Sequence, residues 1–188
     1  MGIFVAQKFD GGTAQIRYTP QFNDDSGAND GITGVDAGSA YDVNVQGNLG
    51  VEGLNVNLQY AKADKSDSST HTPTRDSKGK AISASYNFGQ VTVGAGRIDR
   101  EHGDSATGEV KSTDFGVTFA ASDNLSLGLN YVTSEVNNGS NDEDITMAQI
   151  GYNLGAVGIA VGYADVENYQ GTANADREYG FVRLSTKF

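Results

Sequence analysis

The chain has 188 residues, with 25 Gly, 2 Pro, no Cys, no Trp, and 24 acidic against 13 basic residues for a formal net charge of -11. Without cysteine there is no disulfide framework, thiolate metal site or cysteine nucleophile, and two histidines, His71 and His102, leave little for a zinc site or a histidine-based triad. The acidic balance argues against nucleic acid, which requires a basic stripe, and the longest Gly-tolerant apolar run, Leu154 to Ala164, is too short for a membrane helix.

Taken in chain order, residues 3–9 read as a strand without its beginning. Alternation with period two then recurs: Ala14-Ile16-Tyr18, Tyr41-Val43-Val45, Leu54-Val56-Leu58-Tyr60, Ile82-Ala84-Tyr86-Phe88, Val91-Val93-Ala95 and Phe115-Val117-Phe119. It continues through Leu125-Leu127-Leu129-Tyr131, Ala148-Ile150-Tyr152-Leu154, Val157-Ile159-Val161-Tyr163 and Val182-Leu184. Period two marks strands with one apolar and one polar face. No segment sustains a helical period. The N-terminal Met1-Gly2-Ile3-Phe4-Val5-Ala6 lacks a basic n-region and a cleavage site, so it does not read as a signal peptide.

The connections alternate as well. Tight turns fall at Asp10-Gly11-Gly12, Leu49 to Gly53, Phe88-Gly89-Gln90, Ser122-Asp123-Asn124 and Leu154-Gly155-Ala156, with long loops rich in Ser, Asn, Asp and Gly between them. Three turns share an Asn, apolar, Gly core: Asn48-Leu49-Gly50, Asn87-Phe88-Gly89 and Asn153-Leu154-Gly155. Such a hairpin array with long strands, short turns at one end and long polar loops at the other predicts a transmembrane antiparallel β-barrel rather than a soluble sandwich, whose strands would be shorter. The prediction is all-β, about ten full strands plus a partial one, in a single domain spanning 1–188.

Aromatic residues sharpen that reading. Tyr18, Tyr60, Tyr131 and Tyr163 stand near the long-loop ends of strands, and Tyr86, Phe88, Phe119 and Tyr152 near the short-turn ends, as two membrane-interface girdles require. The opposite parity predicts a pore-lining set of Gln15, Arg17, Asp42, Gln46, Asn57, Gln59, Asp114, Asn130, Gln149, Arg183 and Lys187. Inward glycines such as Gly94, Gly96, Gly128, Gly158 and Gly162 are expected to leave space there.

The array, the phrase Tyr86-Asn87-Phe88-Gly89-Gln90-Val91-Thr92-Val93-Gly94 and the ending Arg183-Leu184-Ser185-Thr186-Lys187-Phe188 resemble the Gram-negative trimeric porins over nearly the whole chain. The resemblance implies a sixteen-stranded barrel, of which this chain is the part following the constriction loop; a ten-stranded barrel in its own right is the alternative. It also implies passive diffusion of small hydrophilic solutes and ions across the bacterial outer membrane, a homotrimer, and no cofactor or reaction. The terminal Phe188 would be the signal to the outer-membrane assembly machinery, and lipid and lipopolysaccharide the other partners. A barrel that does not conduct and presents its loops as an adhesin or phage receptor is the competing function.

Three clusters carry residue types suited to chemistry. His102 within Asp99-Arg100-Glu101-His102-Gly103-Asp104 reads as a solvated loop tip, since a general base needs held geometry. Asn23 to Asp30 and Asn141-Asp142-Glu143-Asp144 offer oxygen ligands for a hard cation but match no EF-hand spacing, so no metal site is predicted. Acids at the loop mouth opposing Arg17, Arg183 and Lys187 inside predict weak cation preference that fades as salt rises.

Overall fold

The computed structural model describes residues 2–20, 22–23, 36–64, 76–101, 109–136 and 141–186. Wherever the sequence alternates, the backbone is extended. The strands are β1 (Ile3–Phe9), β2 (Gly12–Thr19), the two-residue β3 (Phe22–Asn23) and β4 (Asp36–Ala37), β5 (Ala40–Gly47), β6 (Leu54–Ala63), β7 (Ser77–Asn87) and β8 (Val91–Glu101). They continue as β9 (Glu109–Ala120), β10 (Leu125–Val136), β11 (Glu143–Asn153), β12 (Val157–Glu167) and β13 (Arg177–Thr186), with one 3-10 turn, η1, at Tyr169–Gly171.

Eleven strands form one antiparallel sheet in the order β1-β2-β5-β6-β7-β8-β9-β10-β11-β12-β13, while β3 and β4 pair with each other. Each strand of the large sheet lies beside its neighbour in the chain, so every pairing is a hairpin. The sheet is open, with β1 and β13 at its edges. Inner strands have their backbone groups satisfied on both sides, the condition that a membrane imposes on extended chain.

Register sorts the side chains into two faces. One carries Ile16, Val43, Leu58, Ile82, Val117, Leu129, Ile150, Val161 and Val182 along successive strands, and the other carries Gln15, Asn44, Gln59, Ser83, Thr118, Asn130, Gln149 and Arg183. A soluble sheet covers its apolar face with a second layer. Among the described residues nothing covers it: Ile150 is 54 % exposed, Val161 51 % and Leu184 69 %. A contiguous apolar face of this extent is suited to lipid.

The strands run obliquely to the apolar belt. One hydrogen-bonded row passes through Tyr86, Val93, Val117, Leu129, Ala148 and Tyr163. It starts in β7 one residue from a tight turn and ends in β12 near a long loop. Another row takes Ile16, Val43 and Tyr60 on to Lys80, Asp99 and Lys111. Crossing the sheet along a row therefore climbs from one end of the belt to the other, which is the tilt and stagger that barrel strands need.

The repeated Asn, apolar, Gly core has a local cause. Each Asn carboxamide oxygen accepts a hydrogen bond from the Gly N–H two residues on, at 3.0 Å for Asn48 and Gly50, 2.7 Å for Asn87 and Gly89, and 3.0 Å for Asn153 and Gly155. Such Asx turns start a reversal. In the β11–β12 hairpin, Leu154 N–H donates to Val157 O at 2.7 Å, and Gly155 takes φ +84° at the first central position, as type II′ hairpin turns require. A Cβ at Gly155 would meet nothing within 4 Å, so replacement tests backbone conformation alone. Gly155→Val is expected to lower unfolding free energy by about 1–3 kcal/mol, read as a lower urea midpoint; an unchanged midpoint would show that the turn relaxes freely.

Candidate pore wall

Gln15, Arg17, Asp42, Gln46, Asn57, Gln59, Asp114, Asn130, Gln149 and Arg183 all fall on the polar face. Lys187 and Phe188 lie outside the described residues, as do His71, His102 and the acidic stretch 24–30. The wall is knitted across strands by side chains. Arg17 Nε donates to Asp42 Oδ2 at 2.6 Å, Asn44 Nδ2 to Asn57 Oδ1 at 2.7 Å, and the hydroxyls of Ser112 and Ser134 share a hydrogen bond of 2.8 Å. Arg17 is 63 % exposed, so its pairing orients the guanidinium more than it stabilises the sheet.

The inward glycines do not leave simple gaps. A Cβ at Gly96 would strike the Asp114 carboxylate, at Gly116 the Asn130 amide, at Gly128 the Gln149 side chain, and at Gly162 the Phe181 ring. Each of these glycines lets the paired residue of the next strand lie flat against the wall. The polar groups therefore line the surface rather than project across it.

Several residues on this face were not singled out from the sequence. Lys8, Arg100, Arg177 and Glu143 have the same parity, giving five cations against the carboxylates of Asp42, Asp114 and Glu143 among the described strand residues. Tyr179 and Phe181 also point to the polar side, and Val132, Ile145 and Val166 form an apolar strip there. This face is thus not uniformly polar. The signal for β13 was present in the sequence: Arg177, Tyr179, Phe181 and Arg183 are spaced by two.

On the opposite face, Tyr18, Tyr60, Tyr131 and Tyr163 lie toward the long loops and Tyr86, Phe119 and Tyr152 toward the tight turns. Phe88 sits in the turn after β7 with its ring 4.6 Å from that of Tyr86. Tyr131 donates its hydroxyl to Asp144 Oδ1 at 2.8 Å, leaving the ring on the apolar belt and its polar tip at the loop end.

At the loop end of the sheet, on the face that carries Tyr60, Lys62 Nζ bridges Asp64 and Asp76 at 2.7 and 2.9 Å. The Lys62 ammonium and the Ser39 hydroxyl hold the Asp64 carboxyl below the usual carboxylate range. This cluster lies beyond Tyr60, on the water side of the belt.

The connection between β12 and β13 folds back over the wall. The Gln170 N–H donates to Glu143 Oε2 at 2.6 Å, Asn168 Nδ2 to Asp142 O at 3.2 Å, and the Arg177 guanidinium lies 3.6 Å from the centre of the Tyr169 ring. Ser134, Ala164 and Val166 on the same face are, with Gly171, the buried residues among those described. Within the acidic run 142–144, the Glu143 carboxylate accepts from an amide N–H, the Asp144 carboxylate from a phenol and the Asp142 backbone carbonyl from a carboxamide, and among the described residues no group of three or more His, Asp or Glu is arranged for a metal ion. Replacing residues 168–175 with a two-residue glycine link is expected to raise unit conductance, because a turn of chain about 10 Å across with its side chains leaves the wall. Equal conductance before and after would place this connection clear of the ion path.

Tilted strands, one face for lipid and one for water, and hairpin connectivity throughout define an outer-membrane β-barrel fold. Residues 2–172 match the family model of Gram-negative porins, and the chain belongs to that family, whose place is the outer membrane. No curated protein matches it in sequence.

Solved structures match in fold. The anion-selective porin from Comamonas acidovorans superposes at TM-score 0.75 with 15% identity, covering 97% of this chain and 58% of that one. OmpF of Salmonella typhi in complex with daunomycin gives 0.72 and 12%, covering 98% and 61%. The trimer form of OmpT, an outer membrane protein of Vibrio cholerae, gives 0.59 and 14%, covering 97% and 63%. The chain spans about three-fifths of the length of these structures.

Proposed function

We propose that this chain forms wall of a passive diffusion pore for small hydrophilic solutes and ions, working without a cofactor and catalysing no reaction. The observation that carries the proposal is the polar face itself. From β2 to β13 it presents amides, hydroxyls, glycines and a few fixed charges on strands whose other face is apolar and uncovered. Such a wall replaces part of an ion's hydration and admits small solutes without a specific fit.

The trimer form of the Vibrio cholerae relative supports a homotrimer here. Lipid and lipopolysaccharide would contact the apolar face and loops, and Phe188 would be read by the outer-membrane assembly machinery. Planar-bilayer recording tests the pore, with folding verified by a mobility change on boiling in detergent. Stepwise ohmic conductance is expected; its absence from folded protein would overturn the pore in favour of a barrel that presents loops to an adhesion partner or phage.

A further inference from the structure

The inward row of β13 carries an ordered sequence of groups that a general diffusion wall does not need. Arg177, Tyr179, Phe181 and Arg183 succeed one another on one face at the two-residue spacing, roughly 6.8 Å per step. The Phe181 ring lies across Gly162, so the far end of the ring is taken by backbone, and Phe181 is half-buried. Tyr179 is 50 % exposed. Arg177 is held over Tyr169, whereas among the described residues no carboxylate pairs with Arg183. Arg183 lines a hollow of about 360 Å³ together with Asp123, Ser126, Gly158, Ala160 and Ser185.

An exposed Tyr179 and a half-buried Phe181 in one row with a guanidinium that forms no ion pair among the described residues are complementary to a planar apolar body bearing one negative charge. The ring would stack on Phe181 and Tyr179, and the carboxylate would accept hydrogen bonds from Arg183, whose fork matches carboxylate geometry. An aliphatic acid would satisfy the arginine but not the rings. A neutral aromatic would do the reverse.

From this we infer that β13 carries a binding niche for small aromatic carboxylates, which makes the pore wall selective beyond size and charge. The inference rests on the polar face being the lumen wall.

The probe is 4-fluorobenzoate, followed by fluorine NMR line broadening with the folded protein in detergent and displaced by benzoate, cyclohexanecarboxylate or benzyl alcohol. Saturable broadening is expected, with benzoate displacing the probe at about fivefold lower concentration than either competitor. Arg183→Gln should bring benzoate to the level of benzyl alcohol, and Phe181→Leu to the level of cyclohexanecarboxylate. Because the Phe181 ring also covers Gly162, Tyr179→Ser provides a second aromatic variant at a half-exposed position, with the same direction expected.

Absence of saturable broadening, equal displacement by all three competitors, or benzoate affinity unchanged in Arg183→Gln would each overturn the niche. Potassium chloride conductance on the same preparation separates the two readings. Normal conductance without benzoate preference removes the niche alone, and no conductance removes the pore whatever the titration shows.

Discussion

Val161→Arg is expected to destabilise the folded protein in lipid vesicles by about 2–4 kcal/mol, the depth-dependent cost of a cation at the bilayer midplane of a barrel. Val161 lies on the apolar face between Ile150 and Val182 and is 51 % exposed. Along β12 it stands midway between Val157 at the turn and Asp165 toward the loop. An arginine there has no carboxylate in its row and must reach an interface past Ile159 or Tyr163. Ser83→Arg is the matched control. Ser83 is exposed on the polar face between Asn57 and Gly96, so its replacement keeps the new charge in water and should cost little. Urea midpoints read by gel mobility without boiling give both values. Equal costs for the two variants would mean that the faces do not divide lipid from water.

Ion selectivity should change sign when two wall arginines are removed together. Among the described strand residues the polar face carries Lys8, Arg17, Arg100, Arg177 and Arg183 against Asp42, Asp114 and Glu143. The chain as a whole carries a net charge of -11, placed largely on the long loops. Mouth charges in water fade within a Debye length of roughly 8 Å at physiological salt and about 3 Å at 1 M, while charges on a narrow wall are screened less. Cation preference at low salt should therefore give way to anion preference as salt rises. This goes beyond the weak, fading cation preference expected from Arg17, Arg183 and Lys187 alone, because Arg100 and Arg177 share the wall.

Arg100→Gln with Arg183→Gln leaves three cations facing three carboxylates, and the acidic mouth then decides. A unit charge at 4 Å in water contributes about 1 kcal/mol, so the double variant should move the permeability ratio several-fold toward cations. Reversal potentials across a potassium chloride gradient, at low and high mean salt, measure this. Identical potentials for the parent and double variant would show that these two side chains do not face the ion path.

The two faces and the hairpin order were legible in the chain itself, because strand parity alone puts Leu127 and Leu129 on one side and Gly128 and Asn130 on the other, and an Asn two residues before a Gly closes its own turn. Parity also reached Arg17, Asp42, Asp114 and Arg183. The tertiary structure decided whatever depends on the neighbouring strand. Which residue lies over Gly96 or Gly162 is set by register, and so is the oblique course of a row from Tyr86 to Tyr163. The fold of residues 168–176 onto Asp142 and Glu143 depends on hydrogen bonds reaching 27 residues along the chain, from Gln170 to Glu143. Local propensity is silent on such contacts: they form because β11, β12 and β13 bring distant loop ends together, and their free energy exists only after the sheet has been built.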